Sequence, residues 1–301
     1  MPNLLVNAWR DRERWLKSVA RRARKIWRDW RGLLLFVAIM LVFRSAVADW
    51  NQVPSGSMKP GILDGDRIVV DKLAWDLRVP FTDLRIAQWS NPARGDVVTF
   101  VNPLDGRLFV KRVVAVPGDV VELRMKQLIV NGERARYTRL PKEAIRELPI
   151  ENAYRYHFYR EDLLGESRVV MMHSEPGRRH LRGNPLTWLG REGGSDCEQF
   201  RRVAAAAGAQ LAMAVCRCAD RGLCSDLPAF TVPEGKYWMM GDNRDNSSDS
   251  RAIGFIDREI IYGRAHAIAF SVDRSQYYRP RFHRFFTDLT DPPDPNDSAS
   301  L

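Results

Sequence analysis

From residue 67 to residue 130 the chain repeats one pattern, a short β-branched run followed by a turn signal, and this pattern points to an antiparallel β fold. The runs are 67–71, 96–101, 108–116, 120–123 and 127–130. Between them stand Asp64-Gly65-Asp66, Ala93-Arg94-Gly95-Asp96, Asp105-Gly106 and Pro117-Gly118-Asp119. Short runs rich in Val and Ile fit a pleated, half-buried surface, and Gly, Pro and Asp supply the reversals. Asn131-Gly132 is a strong two-residue hairpin signal. The β character returns at 236–240, 260–264 and 266–272. The expected fold is mainly β: an antiparallel β-sheet domain, split by an inserted subdomain and preceded by one N-terminal transmembrane helix.

That division comes from composition. The net charge of +10 is concentrated at the start, where residues 1–31 hold ten Lys/Arg against Asp11, Glu13 and Asp29. An apolar run, 32–43, follows at once. Positive charge beside an apolar run sets membrane orientation and meets anionic headgroups, so nucleic acid is not an expected partner. The segment 32–50 would be roughly 28 Å of helix, close to the ~30 Å hydrocarbon thickness, with Arg44 snorkelling at its outer end. Leu16, Val19, Ala20, Ala23, Ile26, Trp27 and Trp30 follow a helical step and suit an interfacial segment. Ala46-Val47-Ala48 also resembles a small-residue cleavage site, but the long basic leader and Arg44 favour a retained anchor. The expected order is a basic cytoplasmic or interfacial segment at 1–31, an anchor at 32–50, a catalytic β domain at 51–136 and 231–275, an insertion at 137–230, and a largely disordered tail at 276–301. The tail contains Asp291-Pro292-Pro293-Asp294-Pro295 and has no apolar period. Cys197, Cys216, Cys218 and Cys224 all fall in the insertion, where an oxidising compartment would favour disulfides; four cysteines allow three pairings. A Cys-x-Cys spacing is poor for zinc, so neither a metal nor a cofactor is expected.

Two residues carry the chemistry. Ser57 lies in Pro54-Ser55-Gly56-Ser57-Met58-Lys59-Pro60, and Lys111 lies among Phe109, Val110, Val113 and Val114. A serine hydroxyl needs a base, and lysine serves only when neutral, which burial promotes. On a strand Lys111 shares a face with Phe109 and Val113. A third run, 241–251, is rich in Asp, Asn, Arg and Ser but fails the calcium-loop pattern, which requires Gly at the sixth position and a closing Glu. His157, His173, His180, His266 and His283 lie in no setting that suggests a histidine base.

In order, Pro54-Ser55-Gly56-Ser57-Met58-x-Pro60, Gly65-Asp66, Lys111 to Asp119 and Gly241 to Arg251 resemble the motifs of bacterial type I signal peptidases. The resemblance implies a Ser57 nucleophile and a Lys111 general base. Ser55 would help hold the oxyanion and Ser247 would orient the amine. Asp242, Arg244, Asp249 and Arg251 would brace the site, and Val53, Pro54, Ile68 and Val110 would line pockets for small residues. It further implies exported preproteins as substrates, membrane lipid as a contact, a monomer, and a catalytic domain on the outer side of a bacterial inner membrane. Phe109 stands where some relatives have tyrosine. A narrow-specificity enzyme maturing one pilin-like substrate and an inactive tethered binding module are the alternatives.

Overall fold

The computed structural model describes residues 27–53, 55–82, 84–103, 106–141, 153–173 and 227–289, with single positions 15, 25, 144, 145 and 150. The first strands in chain order are β1 (Ala48–Gln52), β2 (Asp66–Asp71), β3 (Asp76–Arg78), β4 (Arg85–Gln88), β5 (Val97–Val101) and β6 (Leu108–Ala115). Next come β7 (Val120–Arg124), β8 (Gln127–Val130), β9 (Glu133–Arg134), β10 (Arg136–Arg139), β11 (Tyr156–Leu163) and β12 (Glu166–His173). The last are β13 (Leu227–Thr231), β14 (Lys236–Met240), β15 (Ile256–Asp257), β16 (Ile261–Asp273) and β17 (Arg279–Pro280).

The main sheet runs β1-β2-β16-β5-β6-β14-β15, with β17 beside β16. In β2 the burial alternates, Ile68 and Val70 facing in while Arg67 and Val69 are partly exposed, the period expected of a strand with one face on a core. β6 is different, with Val110, Lys111, Val113, Val114 and Ala115 all buried. This strand is covered on both faces. Val114 packs with Val121, Leu128, Val130, Trp238 and Met240, while Val113 packs with Val98, Phe100, Tyr237, Met239 and Ile261. Each such fully buried apolar side chain contributes about 1.5–3 kcal/mol. A second sheet, β13-β7-β8-β9, turns at Asn131 and Gly132, whose φ angles of 52° and 81° match the two-residue hairpin read from the sequence.

The structure revises several expectations. Residues 27–46 are helical, but residues 48–52 form β1, so the last part of the expected 32–50 anchor belongs to the sheet. Among the described residues, no helix is long and apolar enough to cross a membrane. The physical reason is that Arg31 and Arg44 bracket only twelve apolar positions. Arg44 pairs with Asp49 at 2.9 Å and lies 5.0 Å from the Trp50 ring. Lys72 Nζ donates to the Arg44 and Ser45 carbonyls, where the helix dipole favours a cation. Ala48 is paired opposite Asp71, so a cut after it would open an edge strand of the sheet.

The two runs expected at 260–264 and 266–272 form one continuous strand, β16, from Ile261 onward, with Ile260 in the 3-10 turn before it; register shifts accompany its pairing with β2 and with β5. The expected insertion, 137–230, contributes to a regular sheet, β10-β11-β12, whose first strand starts at Arg136. Its signal was hidden because charged residues, Glu161 and Arg168, occupy buried positions. The expected tail, 276–301, is built in as far as residue 289: Arg284 is buried, and Phe286 N donates to the Ile268 carbonyl. The four cysteines and residues 290–301 lie outside the described residues.

Candidate active site

Ser57 occupies a single 3-10 turn, Gly56–Met58, just after β1. Val53 N donates to the Asp66 carbonyl at 3.0 Å, which closes residues 53–66 into a loop. The loop is held by its own apolar residues. Met58 is fully buried with Val53, Ile62, Ile68, Val70, Val97, Val110 and Ala265. Three of the expected pocket residues, Val53, Ile68 and Val110, therefore form one apolar floor beside the serine. Ile68 has no exposure and is core, while Val110 retains 8%. Pro54 lies outside the described residues.

Lys111 enters from the middle of β6. Its Nζ donates to Ser57 Oγ at 2.8 Å and to the Val110 carbonyl at 2.9 Å. Lys111 is 3% exposed and Ser57 8%. Burial lowers the amine pKa from 10.5 to about 8, against the charges of Asp249 and Asp242, which favour the ammonium. The Phe109 ring lies 5.0 Å from Nζ and is itself set edge-on against Phe100 at 6.0 Å. A phenyl ring thus packs beside the amine where a tyrosine would present a hydroxyl. Ser55 Oγ is 3.4 Å from Ser57 Oγ, on the exposed side of the turn.

The run 241–251 wraps behind these groups. Asn243 N donates to the Ser57 carbonyl and Asn243 Nδ2 to the Gly56 carbonyl, each at 3.0 Å. This grip on the nucleophile turn was not anticipated, although the asparagine stood inside the motif. Asp249 caps the short helix Ser250–Ile253, accepts from Gly241 N at 2.9 Å, and is paired with Arg251 through both carboxylate oxygens. Arg251 Nη2 also donates to the Arg244 carbonyl at 2.6 Å.

The other two brace residues pair elsewhere. Asp242 accepts from Arg112 Nε and Nη2, at 3.0 and 2.8 Å. Arg244 meets Glu161, which also binds Arg168. Sequence reasoning missed Arg112 and Glu161, because only folding brings them to the run.

Ser247 departs from its expected role in the geometry observed. Its hydroxyl is buried beside Asp249, whose charged form it favours, but it makes no well-formed hydrogen bond to Lys111 or to another described group. The Val110 carbonyl takes the orienting position instead. Among the described residues, no cluster of three or more His, Cys, Asp or Glu side chains is placed to hold a metal ion.

Gly241 gives a direct test of this packing. A Cβ there would lie 2.5 Å from the Ser57 carbonyl oxygen and overlap the Ser247 side chain. Gly241→Ala is expected to displace the serine and lower turnover about 100-fold, with a stability loss of about 1–3 kcal/mol, since small displacements of reacting groups are costly. Steady-state kinetics and a denaturant melt measure both; turnover within threefold of wild type would show that the turn has room to spare.

Comparison with known proteins follows the same residues. A family model described as "Signal peptidase, peptidase S26" matches residues 27–270. A signal peptidase I of Aquifex aeolicus is 32% identical over 254 residues, 79% of this chain and 82% of its own length. Those of Pseudomonas fluorescens and Pseudomonas aeruginosa are 33% and 30% identical, covering 76% and 82% of this chain and 67% and 73% of theirs. A solved signal peptidase I from Enterococcus faecalis aligns with 58% of this chain and 97% of its own at 21% identity, with a TM-score of 0.26, too low to argue from.

Proposed function

The chain belongs to the signal peptidase S26 family, and on that premise we propose that it cleaves signal peptides from exported preproteins with a Ser57–Lys111 dyad. The observation that carries this reading is the 2.8 Å contact between two buried groups, Ser57 Oγ and Lys111 Nζ. In the reactive state the amine is neutral and accepts the Ser57 proton as Oγ attacks the scissile carbonyl. The oxyanion meets the Ser57 N–H and the Ser55 hydroxyl, donors worth ~3 kcal/mol each in comparable sites. Lys111, now an ammonium, gives its proton to the leaving amine, and the peptide bond breaks. Water then attacks the ester as Lys111 takes its proton; Lys111 returns that proton to Ser57 Oγ as the ester bond breaks and the new carboxyl end leaves.

Substrate choice follows from the same elements. β14 pairs with β6 only at Arg112, Val113 and Ala115, which leaves the β6 edge before Arg112 open beside Ser57. An extended signal-peptide end would add to that edge, and the floor of Val53 and Val110 would admit alanine and reject larger side chains. The purified chain in detergent is expected to cut a preprotein after Ala-x-Ala and to leave it intact when the last alanine is replaced by a bulky residue. A preprotein left whole by the wild type, or cut equally well in both forms, would overturn the reading.

The pH dependence has a defined sign. Activity needs the neutral amine, so kcat/KM should rise about tenfold per pH unit below about 8 and level off above it. A profile flat from pH 6 to 9 would remove Lys111 as the base.

Helix 27–46 supports attachment to a membrane. Leu33, Leu34, Leu35, Phe36, Ile39 and Leu41 are each at least half exposed among the described residues. We assign this helix and its basic flank to a membrane anchor that holds the catalytic sheet at the membrane surface. Release of the protein by alkaline extraction of membranes would contradict it.

A further inference from the structure

We infer that Arg284, assisted by Arg281, is a positioning residue for catalysis: the C-terminal segment 279–289 clamps the loop that carries Ser57. This rests on the Ser57–Lys111 reading but concerns residues beyond the family match, which ends at residue 270. The loop 53–66 holds the nucleophile at one end and a tight turn, 61–66, at the other. That turn is joined to the serine by Ile62 N, which donates to the Met58 carbonyl at 3.0 Å, and to β1 through Val53 and Asp66.

Two arginines reach this turn from the C-terminal segment. Arg284 Nη2 donates to the Gly61 carbonyl and to Asp66 Oδ2, both at 2.8 Å. Asp66 Oδ2 also accepts from Leu63 N at 2.8 Å, so one carboxylate joins the turn to the clamp. Asp66 is fully buried and Arg284 is 5% exposed. Arg281 Nη1 donates to the Asp64 carbonyl at 3.2 Å and to Ser271 Oγ at 3.3 Å, and its Nη2 pairs with Asp273 Oδ2 at 3.2 Å.

The segment itself is fixed to the sheet. Phe286 N donates to Ile268 O, Ile268 N to Thr287 O and Leu289 N to His266 O. Leu289 packs on the apolar cluster of Val53 and Met58 under the serine. The turn after Ser57 therefore has a charged anchor on one side and an apolar floor on the other. Two segments more than two hundred residues apart in the chain meet there.

A buried arginine that satisfies both a backbone carbonyl and a carboxylate fixes its partners more firmly than apolar packing does, because losing either bond leaves a desolvated group behind. The clamp bonds the turn at Gly61, Asp64 and Asp66. Its effect on chemistry is through the position of Ser57 Oγ relative to Lys111.

The test uses the full chain in detergent, with Arg284→Gln, Arg284→Lys, Asp66→Asn and the double variant Asp66→Asn/Arg284→Gln. Arg284→Gln is expected to lower kcat about 10- to 100-fold with KM changed less than about twofold. Both bonds come from one nitrogen, so the lysine variant should recover kcat to within about threefold of wild type. The double variant should be no worse than the worse single one, as for groups acting as a unit. Amide exchange over residues 56–66 should rise about tenfold in Arg284→Gln, and this readout does not depend on cleavage. Unchanged exchange in this loop, or wild-type kcat in Arg284→Gln, overturns the clamp while leaving the dyad intact. Loss of kcat, KM and melting temperature together, without rescue by lysine, overturns it too. Faster exchange in a chain whose wild type cuts no preprotein keeps the clamp and removes the enzyme.

Discussion

Lys111→Met is expected to abolish cleavage and to raise the melting temperature at neutral pH. The first effect follows from the loss of the base beside Ser57, and a drop of about 10⁴-fold or more in kcat is expected for a member of a catalytic unit. Ser57→Ala should fall as far. The second effect follows from burial. Lowering the amine pKa from 10.5 to about 8 corresponds to about 3 kcal/mol of differential stability. In that window the unfolded chain binds the proton and the folded chain does not, so folding strengthens as pH rises from about 8 towards 10.5. Below about 8 the folded protein carries a buried ammonium at full cost. Methionine fills the space without charge but gives up the bonds to Ser57 and Val110, so the net gain at pH 7 is about 1–2 kcal/mol, or a few degrees. The gain should shrink above pH 10. Turnover within tenfold of wild type, or a lower melting temperature at pH 7, would remove the neutral-lysine account.

Glu161→Gln is expected to cost about 3–5 kcal/mol, among the largest losses of any single substitution in this chain. Glu161 has no exposure and sits between Arg168 and Arg244, each 5% exposed. Burial alone would raise its pKa, but the two guanidiniums more than offset this and hold it below the usual carboxylate range. Without its charge two buried cations lose their counterion. The sign with pH is fixed as well. Stability from Glu161 is fully present above its unfolded pKa of about 4.5 and is lost as pH falls toward the depressed folded value, so the variant's penalty should narrow in acid. Chemical melts at pH 7 and pH 4 measure it. A loss under 1 kcal/mol at pH 7 would mean that the insertion sheet does not support the run 241–251.

The two substitutions differ in how readily the sequence marks their targets. Lys111 was readable because apolar residues surround it in the chain, and neighbours on one strand are near in space whatever the fold. Its distance from Ser57 was not readable, since 54 residues separate them. Glu161 gave no signal. In β11 and β12 the buried positions hold Glu161 and Arg168 beside ordinary apolar residues, and a charge at an inward position breaks the alternation that identifies a strand. β1 was concealed for a related reason: Ala48, Asp49 and Trp50 follow an apolar run directly, so they read as its continuation. Ser247 shows the reverse limit. A motif places the residue near the lysine, but the bond it makes depends on rotation about one side chain.

Local chemistry, then, was sufficient for the β runs, their Gly- and Asn-bearing turns, and the serine and lysine types the reaction requires. Those properties depend on residues adjacent in the chain. Tertiary structure decided that β6 is covered on both faces, which is what lowers the lysine pKa, and it chose Arg112, Glu161 and Arg284 as partners for Asp242, Arg244 and Asp66. Such pairs join distant segments across sheets, and a buried charge is set by whatever neutralises it, which no local pattern records.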